Sequence, residues 1–248
     1  MNIMPHEQII QYGWRIPFLI STLCWVILFF IRNNIHDVVI PTESARRGLL
    51  ELIKTYKNQL ITIFITASLS ASAFYMTFIF MPTFLSSSLN LHSHQQSILI
   101  TLICLSVYLL ALPVGGMLAD KIGIVRQIKI ASILYLLSSY VCFAAIPSLN
   151  GMGCMAVLIL FSLIQALLNS ALPAFMVTQI DLSQRGKALA ISYNMSLTIF
   201  GGLMPYLILT NEGYVNPGIT ISICAALTLL VIHQTGKHYG YIRSEPQY

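Results

Sequence analysis

Seven stretches of this chain, at about 13–32, 59–84, 96–117, 129–146, 152–177, 187–209 and 216–235, are long runs of apolar residues. A membrane-spanning helix takes about 20 such residues, and no other feature restricts the fold as strongly. Backbone in hydrocarbon must satisfy its own hydrogen bonds, so single segments of this length cross as helices. The expected class is an all-α integral membrane protein with about seven transmembrane helices. Only 8% of residues are charged, against roughly 25% in soluble domains, too few to cover a globule facing water. The second, third, fifth and sixth stretches contain one proline each, Pro82, Pro113, Pro173 and Pro205, tolerated where neighbouring helices take up the freed carbonyls.

The formal net charge of +5 does not point to nucleic acid, because the basic residues stand in short clusters between the apolar runs. Clusters of that kind orient a membrane protein. Alternate loops place Arg32, Arg46, Arg47, Lys54, Lys57, Lys121, Arg126, Lys129, Arg185, Lys187, Lys237 and Arg243 on one side and leave Arg15 on the other. The crowded side is expected to be cytoplasmic, with the N-terminus outside and the C-terminus inside. MNIMPHEQII lacks a basic n-region and leads into a run long enough to stay in the bilayer, so no cleaved leader is expected. An odd number of spans behind an external N-terminus reads as a chain with helices missing in front.

The expected organisation is an external tail and first span over 1–32, a cytoplasmic loop over 33–58, a six-helix bundle over 59–236 and a cytoplasmic tail over 237–248. Within the loop, Leu49, Leu52, Ile53, Tyr56 and Leu60 recur at helical spacing opposite Arg46, Arg47, Lys54 and Lys57. That pattern suits a basic amphipathic helix at the headgroups; a solvated linker with incidental periodicity is the other reading. The five cysteines have neither CxxC nor Cys/His spacing and read as small buried apolar residues. His92 and His94 lack a third ligand and read as solvated.

Away from their ends the spans carry no Asp, Glu, Lys, Arg or His, the residues that usually mark ion and proton paths. They carry stripes of small and neutral polar residues instead. Gly186, Ala190, Asn194, Thr198 and Gly202 recur every four residues and share one helix face. Ser162, Gln165, Asn169 and Pro173 form a second stripe, Thr62, Thr66, Ser70, Ala73 and Thr77 a third, and Thr101, Cys104, Tyr108, Ala111 and Gly115 a fourth. Two readings stand: close helix packing with amide hydrogen bonds between helices, or a wet cavity for a small polar solute. Ser132, Tyr135, Ser138 and Ser139 make the fourth span polar too, so polarity alone does not select the cavity helices. No Ser/His, Asp/Asp or HExxH arrangement lies at membrane depth, so an enzyme is not expected.

GxxxDKxG at Gly116, Asp120, Lys121 and Gly123 resembles the signature loop of the major facilitator superfamily. YGWRIPF at Tyr12 to Phe18 and ISYNMSLTIFGGLMP at 191–205 resemble the sixth and eleventh helices of its metabolite:proton symporter branch, which includes proline/betaine, shikimate, citrate and 2-oxoglutarate transporters. The resemblance implies a partial major facilitator fold, helices six through twelve of twelve. It makes 115–129 the cytoplasmic turn between helices eight and nine, with Gly116 and Gly123 allowing a tight turn and close helix approach. Asp120 then either accepts hydrogen bonds from the start of helix eleven, near Ser183 to Arg185, or caps its own turn. Ile124 and Val125 stand where the family usually has a basic pair.

The same resemblance implies that helices seven, eight, ten and eleven face the cavity, which makes Tyr75, Tyr108, Gln165, Asn169, Tyr193 and Asn194 the candidate solute contacts. The implied activity is proton symport of a small polar metabolite, a proline/betaine-like osmolyte or an organic acid, in a bacterial inner membrane. No cofactor is implied. The partners are the lipid bilayer, solute and protons, and a separate N-terminal half, since the chain would be one part of a truncated or split transporter. A nonfunctional or structural membrane fragment is the alternative.

Overall fold

The computed structural model describes residues 11–33, 48–88, 94–204, 206, 208 and 216–242. Arg46, Arg47, His92, Pro205 and Arg243 lie outside the described residues. The chain divides into two units, 1–41 and 42–248. In the first, a 3₁₀ turn at Gly13–Arg15 leads into α1, Ile16–Asn33. The Ser21 and Thr22 hydroxyls donate to the Phe18 carbonyl at 2.7 and 3.0 Å, so neither needs water inside an apolar helix.

The second unit opens with a short helix, α2 (Leu49–Thr55), and bends at Tyr56, whose φ of −108° and ψ of 24° leave the helical region. It continues as α3 (Lys57–Phe74), α4 (His94–Ile122), α5 (Ile124–Ala145), α6 (Gly151–Thr178), α7 (Arg185–Ser196) and α8 (Pro217–Ile242). Helix α3 runs on through π-helical turns at Tyr75–Phe80 and Phe84–Ser88, on either side of Met81–Thr83. Pro82 sits between them; it offers no N–H and its ring crowds the carbonyl four residues back, so the regular ladder cannot pass through. Helix α7 likewise widens into a π segment at Leu197–Leu203.

Among the described residues, six helices are long and apolar enough to cross a membrane: α1, the continuous α3 segment, α4, α5, α6 and α8. The expected span at 187–209 is helical from Arg185 to Leu203 but is less apolar than these six. Its first three turns hold Arg185, Lys187, Ser192, Tyr193 and Asn194, so it is more polar than the others.

Helix α3 packs on α6, α7 and α8, α6 also touches α4 and α5, and α5 lies along α8. The core between them holds Leu69, Met76, Tyr135, Phe143, Phe161, Leu168 and Phe175. Small residues set the closest crossings, as expected where lipid supplies no hydrophobic drive between helices. A Cβ on Gly218 would lie 2.3 Å from the Ser139 carbonyl oxygen; instead the Ser139 hydroxyl donates to the Gly218 carbonyl at 3.2 Å and pairs with Ser222 at 2.7 Å. Two helix starts, those of α6 and α8, are capped by asparagine. Asn150 accepts from the Gly153 N–H at 2.9 Å, and Asn216, ahead of Pro217, accepts from Gly218 at 2.8 Å.

Helices α4 and α5 are joined by one residue, Gly123, whose φ is +91°. A side chain at that φ is strained, so glycine is what lets two long helices reverse so sharply. Close approach falls on Gly115 rather than on Gly116. A Cβ on Gly115 would stand 2.4 Å from the Ser170 hydroxyl and 3.1 Å from the Ala166 carbonyl, whereas one on Gly116 meets nothing within 4 Å.

The amphipathic segment also differs from expectation. Leu52, Tyr56 and Leu60 turn inward and are buried with Ile63, Leu172, Met176, Ile180 and Ala188, and the Tyr56 hydroxyl donates to the Asp181 carboxylate. One stripe of α2 is therefore held by the bundle, which the periodicity alone assigned to lipid.

Candidate functional site

Buried hydroxyls and amides converge between α3, α4, α5 and α6. Ser70, on α3, donates to Asn169 Oδ1 at 2.6 Å. The Asn169 amide nitrogen donates to the Tyr108 hydroxyl at 3.0 Å. One turn earlier on α6, Gln165 Nε2 donates to the Ser70 carbonyl at 3.1 Å, and its Oε1 accepts from the Tyr135 hydroxyl at 2.6 Å. The i, i+4 spacing of Gln165 and Asn169 puts both amides on the face of α6 that meets Ser70. An amide unpaired in hydrocarbon is costly, and this arrangement pairs both ends of each. The Tyr108 ring rests against Phe74 and Phe78, at centroid distances of 5.8 and 5.5 Å.

Tyr108, Gln165 and Asn169 are thus brought together through Ser70. Tyr75 lies outside this chain of bonds; its half-buried ring covers Gly201, where a Cβ would stand 2.7 Å from ring carbon Cε2. Tyr193 and Asn194 are exposed. They lie on the outward side of α7, whose inward side buries Ala188, Ser192, Ser196 and Gly201, with Ser196 donating to the Ser68 hydroxyl at 3.2 Å. The stripe Gly186, Ala190, Asn194, Thr198 and Gly202 is one face, as its spacing requires, and it is exposed along its whole length.

The loop motif ends α4. Asp120 and Lys121 are exposed and Gly116 and Gly123 half-buried. No hydrogen bond among the described residues joins Asp120 to the start of α7. Ahead of α7, the Asp181 carboxylate accepts from the Tyr56 hydroxyl.

Gln127 was not foreseen. It belongs to the polar island by sequence, yet it is fully buried. Its Nε2 points its two hydrogens at three acceptors, the Gly115 carbonyl at 3.0 Å, the Leu167 carbonyl at 2.8 Å and the Ser170 hydroxyl at 2.8 Å, tying α5 to α4 and α6 where Gly115 lets them close. Its Oε1 is buried without a partner among the described residues. The signal available in the sequence was its setting, an uncharged amide one turn into a helix beside Ile124, Val125 and Ile128.

The model of the Major Facilitator Superfamily matches residues 9–208. A Staphylococcus aureus (strain COL) protein named "Putative proline/betaine transporter" is 26% identical over 206 residues, 80% of this chain and 44% of that protein. A citrate-proton symporter of Klebsiella pneumoniae is 28% identical over 242 residues, 92% of this chain and 53% of the symporter. An ectoine/proline transporter of Corynebacterium glutamicum is 31% identical over 222 residues, covering 79% and 42% respectively. The chain spans about half the length of these curated relatives. No solved structure matches. With six membrane-length helices among its described residues, a multi-pass helical bundle and a family match over most of its length, this chain belongs to the Major Facilitator Superfamily.

Proposed function

We propose that this chain supplies the C-terminal portion of a transporter that moves a small polar metabolite, a proline/betaine-like osmolyte or an organic acid, by proton symport across a bacterial inner membrane. The observation that carries the reading is the exposed polar face of α7, with Asn194 in its middle and Tyr193 beside it. A primary amide facing outward from an apolar bundle needs a polar partner at membrane depth. A second bundle enclosing a wet cavity provides one. Alternating access would rock that bundle against this one around a midplane site.

The candidate contacts divide on this view. Asn194 and Tyr193 would meet solute, Asn169 and Tyr108 would form the cavity wall, and Gln165, engaged by Tyr135 and Ser70, would fix α6 in place. The basic clusters set the orientation, N-terminus outside and C-terminus in the cytoplasm. The chemistry is solute movement, not catalysis of a covalent reaction.

The test is uptake of labelled proline, glycine betaine and citrate into proteoliposomes, with this chain alone and with a family N-terminal half co-expressed. The lone chain is expected to be inactive and the pair to accumulate one solute when a proton gradient is imposed. Accumulation by the lone chain overturns the need for a second bundle. Failure of correctly inserted pairs from several branch members on all three solutes favours a structural fragment.

A further inference from the structure

Helix α2 has two sides. Leu52 and Tyr56 lock one of them to the bundle, and this fixes the rotation of the helix about its axis. Around the helix from that stripe, Leu49, Leu50 and Ile53 remain 56, 76 and 38% exposed. Leu49 and Ile53 form one i, i+4 row and Leu50 and Lys54 the next, so an apolar strip merges into a basic one. Lys54 and Lys57 are exposed; Glu51, also exposed, is about 160° from Leu49 and Ile53 by the 100° step and stands one turn before Lys54, at the far edge of the basic strip. Only Tyr56 separates α2 from a membrane-length segment that begins at Lys57, so α2 stands at the boundary of the bilayer. The bend at Tyr56 turns it off the axis of that span.

We propose that this outward face docks on the anionic phospholipid headgroups of the bilayer surface, with Leu49, Leu50 and Ile53 inserted among the upper acyl carbons and Lys54 and Lys57 paired with phosphate. A strip of leucine and isoleucine flanked by lysine is the chemistry that recognises such an interface. The bundle contributes by holding the helix at a fixed roll, so the leucines need no separate ordering when they meet lipid.

The full chain, with Leu50→Trp and with Trp14→Phe and Trp25→Phe to leave one fluorophore, is reconstituted into mixed phosphatidylcholine/phosphatidylglycerol vesicles. One set carries brominated phosphatidylglycerol, the other an equal fraction of brominated phosphatidylcholine. Each basic side chain near an anionic surface enriches it by about fivefold, so the glycerol lipid is expected to quench more strongly by a factor of at least about two. Adding Lys54→Gln and Lys57→Gln is expected to equalise the two sets while quenching persists. Raising the salt is expected to do the same without any lysine substitution, because the attraction is screened. Equal quenching at low salt with both lysines present overturns headgroup recognition. Absence of quenching in both sets overturns the proposal outright, because α2 is then covered by another part of the chain or by a second copy.

Discussion

At Gly115 and Gly116 two adjacent glycines, the second belonging to the loop motif, have different surroundings, and only the packing of the helices separates them. A methyl group on Gly115 collides with Ser170 and presses on the Ala166 carbonyl, while one on Gly116 points into open space. Gly115→Ala is therefore expected to cost about 1–3 kcal/mol, and Gly116→Ala to stay within about 0.5 kcal/mol of the parent. Thermal melting of the purified protein in detergent checks the pair; equal melting temperatures would remove Gly115 as the point of close approach. Gln127 belongs to the same junction. Its amide bonds to Gly115, Leu167 and Ser170 depend on the closeness that the missing side chain of Gly115 permits.

Among the elements, two of the three π-helical segments meet at a close contact. The ring of Tyr75, first residue of the turn at Tyr75–Phe80, lies over Gly201 within Leu197–Leu203. Wide turns of this kind are rare and collect at sites where a helix is asked to do more than span. Gly201→Ala is expected to destabilise by about 1–3 kcal/mol through overpacking on the ring. Tyr75→Ala in the same chain should recover part of that loss, because the colliding atoms are gone. Additive melting shifts in the double-substitution cycle would mean that the two segments are not coupled through this contact.

For the whole molecule, helix α5 gives a direct reading of orientation. Arg126 near its start and Ser148 just beyond its end are both exposed, and the spanning segment Ile124–Ser148 lies between them. Single cysteines at these two positions, with the five native cysteines replaced, are expected to react from opposite faces of sealed vesicles. Arg126→Cys should label from the cytoplasmic side and Ser148→Cys from the outside, and the reverse pattern would refute the orientation. Gln127 would be a silent choice for the same experiment, because it is fully buried.

The sequence by itself determined the approximate limits of the six membrane-length segments, the helical class, the family, and the faces that carry polar residues. These follow from local quantities: the length of an apolar run, a period of 3.6 residues, and a motif such as that at Gly116, Asp120, Lys121 and Gly123. Tertiary structure alone decided which of those faces is covered. Ser70, Gln165 and Asn169 face one another across two helices and hydrogen-bond there, while Asn194, on a stripe of the same kind, is left outside. Periodicity tells which residues share a side of a helix and is silent on what stands opposite. For the same reason Leu52 and Tyr56 could be placed on one stripe of α2 but not assigned to protein rather than lipid, since both bury apolar surface equally well. That choice depends on residues more than a hundred positions away, Leu172, Met176, Ile180 and Asp181, and it is made only when the helices pack.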